Sequence, residues 1–159
     1  MENKEMLVTL PVLKPIKLKN DFINKIKGGS LKSDVIVLVA EDGEYVFFIE
    51  CVKELKDGYN DKDILPFSID EGVLKSGKFE KINLAKGIKL SKIFKIKYDE
   101  IIGKLDEIDK IDSLPFLGIN DQIKLVDKLT TKLQDTLDLP KLIVIQKSQK
   151  TQNTSSQTA

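Results

Sequence analysis

The chain has 159 residues, of which 41% are hydrophobic, and its formal net charge is +1 at neutral pH. This length favours one domain with a buried core, and no run approaches the roughly 18 apolar residues that a membrane span requires. The first residues lack the build of a secretory signal, so the sequence predicts a cytoplasmic protein without a membrane partner. We expect one α+β domain over residues 1–146 and a disordered polar tail over residues 147–159.

Two residue types are missing, and their absence excludes several kinds of site. The chain contains no histidine and no arginine, so all 26 basic residues are lysine. Without histidine, one chain cannot form an imidazole-based catalytic triad or ligate a metal through imidazole. The single cysteine, Cys51, cannot form an internal disulfide or supply the thiolates of a structural zinc site. The sequence therefore predicts no metal and no cofactor.

The first third of the chain predicts three elements. An alternating apolar run over 7–12 lies near prolines and is typical of a short edge strand, since proline cannot donate to a β-ladder. Asn20 is suited to cap a short helix that a glycine pair then ends. Two β-prone runs within 35–52 flank Asp42-Gly43, a pair favoured in tight hairpin turns. Both alternations of this hairpin are apolar, so we expect it at the centre of the sheet.

The polar segment that follows contains two motifs resembling ligand-binding loops. Acidic residues within 57–63 have the spacing of a calcium loop, but Lys62 stands where the turn glycine belongs. Residues Gly72 to Lys78 match a phosphate-cradling loop, which makes nucleotide binding one alternative function. However, Phe79 replaces the magnesium-binding hydroxyl, and the residues after it alternate like a strand instead of opening a helix. A glycine-rich hairpin turn is the competing interpretation.

Lysines alternate with apolar residues over 77–96, and acids are almost absent there. Apolar pairs such as Ile82 and Leu84 recur at the two-residue period of strands, which predicts paired strands with one basic face. Such a face attracts polyanions even when the whole chain is nearly neutral. A solvated face without a ligand is the alternative. The expected RNA-binding residues are Lys81, Lys86, Lys89, Lys92 and Lys95.

Helical spacing returns after the basic stretch. We predict a helix over 98–112 behind an Asp99 cap, and a longer helix from Asn120 to Leu137. We expect the apolar stripe of the longer helix to pack in the core, and docking of a protein partner on it is the alternative. Short strands are expected over 64–69 and 142–145. The stripe consists of Ile123, Val126, Leu129 or Thr130, Leu133 and Leu137.

The predicted order of elements is a hairpin, a second set of strands and then late helices. This order resembles that of the bacterial RNA-cleaving toxins of the MazF superfamily, and more closely that of its ToxN/AbiQ branch. The resemblance runs from Val35 to Leu105 and is carried by VIVLVAEDGEYVFFIECVKE and EGVLKSGKFEKINLAKGIKL. It implies an α+β fold with a strongly bent antiparallel sheet, or a partly open small barrel, and packed helices. It also implies RNA as the partner, either as substrate or as a neutralising antitoxin RNA, in a toxin-antitoxin or phage-defence system.

Carried onto this sequence, the family's hydroxyl pair falls on Glu50 and Cys51, and its lysine falls on Lys53. In such toxins the 2′-hydroxyl of RNA attacks its own phosphate without a metal. The protein positions the RNA, deprotonates the hydroxyl and stabilises the negative charge that develops. The resemblance therefore implies Lys53 as the cation, Glu50 as the proton acceptor and Cys51 as a weak hydrogen-bonding group. Only the lysine agrees with the family pattern. An inactive relative, or a noncatalytic nucleic-acid- or protein-binding module, is the alternative.

Overall fold

The computed structural model describes residues 11–25, 31–60, 62–68, 72–106 and 108–145. Most of the first expected strand and the whole expected tail lie outside these residues. The described residues form nine strands: β1 (Pro15–Lys17), β2 (Val35–Glu41), β3 (Tyr45–Val52), β4 (Ile64–Pro66), β5 (Gly72–Val73), β6 (Gly87–Lys89), β7 (Lys92–Lys97), β8 (Phe116–Leu117) and β9 (Lys141–Val144). They also form three α-helices, α1 (Asn20–Lys25), α2 (Tyr98–Ile102) and α3 (Ile119–Gln134), and a 3-10 helix over Ile108–Ser113.

The predicted hairpin is confirmed as β2 and β3. Gly43 has a φ of 93°, a conformation that favours glycine, and the Asp42 carboxylate accepts hydrogen bonds from the amides of Glu44 and Tyr45. The turn is thus fixed by a glycine and by a side chain that satisfies two backbone donors. A register shift between Leu38 and Ala40 adds a bulge to the hairpin.

The sheet is arranged around β3, as predicted. The strand β2 pairs with one edge of β3, while β7 pairs with Tyr45 to Phe48 and β6 with Cys51 and Val52 on the other edge. Beyond these strands lie β1, β4 and β9, of which β9 is parallel to β7. Within the described residues the sheet does not close into a barrel, so the predicted α+β fold with a bent, partly open antiparallel sheet is confirmed.

Apolar side chains form two clusters, which the alternation of β3 separates. Val46 and Phe48 belong to the first cluster, with α1 and α2, and the Phe48 ring stacks on Phe94 at a centroid distance of 5.1 Å. Ile49 belongs to the second cluster, which includes Leu125 of α3. The successive residues of β3 therefore point to opposite sides of the sheet.

Two details of the prediction for 77–112 are wrong. The strands β6 and β7 do not pair with each other, because each takes its own part of β3. The expected helix over 98–112 is divided into α2 and the 3-10 helix, and the N-cap of α2 is Lys97 instead of Asp99. Leu105 forms a bridge with Leu18 between the two helices, and this tertiary contact interrupts the helical run.

The helix α3 turns a different face to the core than its apolar stripe predicts. Ile123, Val126 and Leu133 are each 56% exposed, whereas Asp121 and Lys132 are buried. The Asp121 carboxylate accepts hydrogen bonds from the amide and the hydroxyl of Ser68. The expectation that this stripe packs in the core is therefore wrong for these three residues and for Leu137, which is 95% exposed, whereas Leu129 does pack against the second cluster.

Lys132 lies between two carboxylates, with Nζ 3.0 Å from Asp63 Oδ1 and 3.0 Å from Asp138 Oδ2. Burial alone would lower the pKa of Lys132, but the hydrogen bonds that its ammonium donates to Asp138 and Asp63 outweigh burial and leave the pKa raised. These charge-assisted bonds hold the last turn of α3 against the loop before β4 and the segment before β9. Paired polar groups thus decide which face of α3 is buried.

The glycine-rich segment from Gly72 to Lys78 forms β5 and a tight turn. The Leu74 amide donates to the Lys78 carbonyl, the Gly77 amide donates to the Leu74 carbonyl, and Phe79 bridges back to Val73. The residues after it lead towards β6 instead of opening a helix, so backbone amides at a helix N-terminus are not available to phosphate there. No helix within the described ranges is long and apolar enough to cross a membrane.

Gly72 provides a test of this packing. A Cβ at Gly72 would lie 2.3 Å from the Glu80 carbonyl oxygen, so we expect Gly72→Ala to lower the free energy of unfolding by about 1–3 kcal/mol. Gly103→Ala is the matched control, since a Cβ there meets nothing within 4 Å and the residue has a φ of −79°. Urea denaturation of both variants measures the difference, and equal midpoints would contradict this role of Gly72.

Candidate functional site

A cavity of about 730 Å³ lies beside the end of β3. Its walls come from α1, the residues before β2, the end of β3 with the loop that follows, and β6. The cavity therefore brings together segments that are distant in the sequence. Its charged lining residues are the four lysines Lys32, Lys53, Lys56 and Lys89 and the three acids Asp34, Glu50 and Glu54.

Glu50 is the most deeply buried charged residue of this cavity, with 2% of its surface exposed. The alternation of β3 places it on the same side as Val46 and Phe48, at the end of the first apolar cluster. Its Oε1 accepts hydrogen bonds from the amides of Lys32 at 2.9 Å and Ser33 at 3.2 Å. Its Oε2 has no hydrogen-bond partner within the described part of the chain. One buried carboxylate oxygen is thus left to accept a hydrogen bond from a ligand.

Lys92 lies next to that oxygen, with Nζ 3.8 Å from Glu50 Oε2. The antiparallel pairing of β3 with β7 sets Phe48 opposite Phe94. Two residues further along β3 and two residues back along β7, the same register places Glu50 next to Lys92. The pKa of Lys92 is lowered, mainly by burial. The Glu50 carboxylate acts to raise this pKa, while the charges of the nearby Lys89, Lys32 and Lys141 lower it. The two groups form an ion pair that is too long for a direct hydrogen bond.

A second ion pair joins Lys53 to Asp34. The Lys53 ammonium contacts Asp34 Oδ1, and Lys17 Nζ lies 3.8 Å from Asp34 Oδ2. The Lys53 side chain is 52% exposed, while that of Asp34 is 13% exposed. Lys53 can therefore move towards a ligand in the cavity, whereas Asp34 is held by the start of β2.

The structure brings Glu50 and Lys53, two of the residues predicted from the sequence, to the same cavity. Their roles in catalysis stay a prediction. Asp34 was not predicted, although the hairpin register, with Ile36 opposite Glu50, indicates that residue 34 lies near the end of β3. The contact between Lys92 and Glu50 was also not predicted, because it depends on a pairing between distant strands.

Cys51 borders the cavity, but its side chain packs in the second apolar cluster and is 1% exposed. Burial raises the pKa of the thiol, and the negative charge of Glu50 raises it further. The group therefore stays a neutral thiol at physiological pH. This environment is typical of an inert, structural cysteine.

The five predicted RNA-binding lysines do not share one surface. Lys89 lines the cavity and Lys92 contacts Glu50, whereas Lys81 and Lys86 are exposed and do not line the cavity. Lys95 alternates to the side opposite Lys92, and its Nζ lies 4.3 Å from the ring centroid of the nearby Tyr45. The structure therefore brings two of the five to the candidate site.

Comparisons with protein-family models, with curated proteins and with solved structures find no match to the chain. The resemblance to the MazF superfamily therefore stays a prediction. Among the described residues, no group of three or more acidic or cysteine side chains could hold a metal ion.

The burial of Cys51 predicts its reactivity. A disulfide reagent such as Ellman's reagent should label the native protein at least 100-fold more slowly than the urea-unfolded chain, since the thiol is buried and its pKa is raised. The absorbance of the released thiolate measures both rates at mildly alkaline pH. Rapid labelling of the native protein would contradict this placement and would return Cys51 to the set of reactive groups.

Proposed function

We propose that the cavity binds single-stranded RNA and that the chain cleaves it without a metal ion. The observation that carries this proposal is the buried Glu50 carboxylate, whose Oε2 faces Lys92 at 3.8 Å and has no hydrogen-bond partner among the described residues. A buried acceptor without a donor costs free energy, and such groups are concentrated at functional sites. Lys53 lines the same cavity and supplies a partly exposed cation, which is paired with Asp34.

The size and charge of the cavity favour a nucleotide. Its volume of about 730 Å³ falls within the range of small-molecule sites, which is roughly 300–1,000 Å³. Lys32, Lys56 and Lys89 line it in addition to Lys53, so a phosphate would meet several ammonium groups. A ligand with both a phosphate and a hydroxyl donor satisfies the lysines and Glu50 together, and each ribonucleotide carries both.

The chemistry that fits these groups is internal transesterification. Glu50 Oε2 accepts the proton of the 2′-hydroxyl, and the 2′-oxygen forms a bond to the adjacent phosphorus while the bond from phosphorus to the 5′-oxygen breaks. The departing 5′-oxygen takes a proton from water, and the hydroxide that is left takes the proton from Glu50, which restores the carboxylate. Lys53 stabilises the negative charge that develops on the phosphate oxygens. For this, the phosphate must displace the Asp34 carboxylate from the Lys53 ammonium or bind the same ammonium beside it. The products are a 2′,3′-cyclic phosphate and a 5′-hydroxyl.

This mechanism needs neither histidine nor arginine, and the chain contains neither. A carboxylate replaces the imidazole as proton acceptor, and a lysine provides a point charge instead of a bidentate fork. Within this proposal the chain acts as the RNA-cleaving component of a toxin-antitoxin or phage-defence system, and a neutralising RNA is a further ligand of the same surface.

Binding should depend on salt and on the lysines of the cavity. We expect each neutralised phosphate to contribute about 0.7 to the slope of log affinity against log salt for a single strand. Lys89→Gln should weaken binding of an oligoribonucleotide, whereas Lys95→Gln, on the opposite side of the sheet, should have little effect. Fluorescence anisotropy over a salt series measures both. Equal losses for the two variants would place RNA on a general basic surface instead of the cavity.

Cleavage should depend on Lys53 and Glu50. We expect Lys53→Ala to reduce the rate roughly 100- to 1000-fold, which is typical for the loss of one donor to the transition state, and Lys53→Arg to restore little. Glu50→Gln should also reduce the rate, because the neutral amide is a far weaker proton acceptor than the carboxylate. The assay is cleavage of a defined RNA in chelator, with the termini of the products identified by mass spectrometry.

Two variants act as controls in this assay. Lys97→Ala removes an exposed lysine from the end of β7 and should leave the rate unchanged. Cys51→Ser should also keep the rate, since the side chain packs in the core, although a buried hydroxyl lowers stability. Circular dichroism confirms that each variant is folded. Cleavage by Lys53→Ala at the wild-type rate would contradict this site, and no cleavage by the wild type would contradict the catalytic part of the proposal.

A further inference from the structure

The outer face of α3 exposes a stripe of large apolar side chains. Ile119 is 62% exposed, and Ile123, Val126 and Leu133 are each 56% exposed. Monomeric proteins seldom expose several such residues on one face, and a group of them marks an interaction surface. We call these four residues together with Thr130 the α3 stripe.

The α3 stripe is not an alternative core face for this domain. The opposite side of the helix is already packed, with Leu125 in the second apolar cluster and Asp121 bound to Ser68. Lys132 on that side is held by its carboxylate partners. A rotation that buried the stripe would break these buried polar contacts, so the stripe stays available to another molecule.

The spacing of the α3 stripe identifies the kind of surface that fits it. Successive members are separated by four, three, four and three residues, which is the heptad pattern of a helix that packs against another helix. Ile123 and Thr130 occupy the a positions of this pattern, and the other three residues occupy the d positions. A second helix with the same spacing therefore interlocks with the stripe as knobs into holes.

We propose that α3 pairs in parallel with α3 of a second copy of this chain. In a parallel pair each stripe residue meets its own counterpart, so the surface is self-complementary around a two-fold axis. Asp127 at an e position then lies beside the uncharged Gln122 at a g position of the second copy. In an antiparallel pair the e positions face each other near the centre of the helix and Asp127 meets Asp127, so charge favours the parallel arrangement.

The length of α3 sets the strength of this association. The helix has 16 residues, which corresponds to about 24 Å and two heptads. The seam has five stripe residues per partner, fewer than the roughly 20–30 residues on each side of a standard interface, and one a position holds the polar Thr130. We therefore expect a reversible dimer with a dissociation constant on the order of 10 µM. This inference does not depend on the proposed RNA cleavage.

Neighbouring threonines provide a matched test. Thr130→Leu should tighten the dimer at least tenfold, because it replaces the polar a position with an apolar one. Thr130→Glu and Val126→Glu should abolish the dimer, whereas Thr131→Glu, on the exposed side next to the stripe, should leave it unchanged. Sedimentation equilibrium over a wide concentration range measures these constants. All four changes lie at exposed positions, and circular dichroism checks that the variants are folded.

Cross-linking tests the parallel arrangement. Ile123→Cys and Leu133→Cys should each form disulfide dimers under mild oxidation, and Thr131→Cys should not, while the buried Cys51 stays silent. A wild-type chain and a Thr130→Leu variant that are both monomeric at high micromolar concentration would overturn the proposal. So would a dimer that Val126→Glu leaves intact, or a dimer that forms without either cross-link.

Discussion

The charge that the structure must accommodate is the carboxylate of Glu50 at the end of the central strand. A buried carboxylate costs several kcal/mol unless it is paired and hydrogen-bonded. Here the amides of Lys32 and Ser33 and the ammonium of Lys92 surround it. These partners come from the residues before β2 and from β7, so the same requirement fixes how both segments meet β3. The cavity is the space that this arrangement leaves beside the remaining carboxylate oxygen.

Local patterns predicted the parts of the fold that local forces determine. The β-prone runs around Asp42-Gly43 gave the hairpin and its central place, because turn geometry and strand alternation act over a few residues. Glu50 and Lys53 came from a resemblance. Glu50 reaches the cavity from β3, whereas Lys53 follows the end of β3 and reaches it from the bend, where its ammonium pairs with Asp34. Asp34 and Lys92 join them only through pairings between segments that are distant in sequence.

The errors have one physical cause in common, which is that tertiary contacts override local preference. The apolar period of α3 predicted the wrong buried face, because Asp121 pairs with Ser68 just after β4 and Lys132 pairs with Asp63 in the loop before β4. The helix expected over 98–112 is interrupted where Leu105 bridges to Leu18. Hydrophobic periodicity does not register paired polar groups, so it fails where such groups decide which face is buried.

The two proposed surfaces lie on opposite sides of the sheet. Glu50 points to the same side of the sheet as the first apolar cluster, whereas Leu125 of α3 packs in the second cluster on the other side. A dimer through α3 would therefore leave each cavity open, and the two proposals can fail separately. The division follows from β3 itself, since each of its faces is covered by a different part of the chain.

The most direct test of the account is an amide NMR titration with a short oligoribonucleotide whose 2′-hydroxyl at the cleavage position is replaced by 2′-O-methyl. The amides of Lys32 and Ser33 donate to Glu50 and line the cavity, so they report binding there. We expect saturable, salt-sensitive shifts at these two amides and at Lys53, with little change along α3. The absence of shifts at Lys32 and Ser33 at saturating ligand, or shifts confined to α3, would contradict the assignment of the cavity as the RNA site.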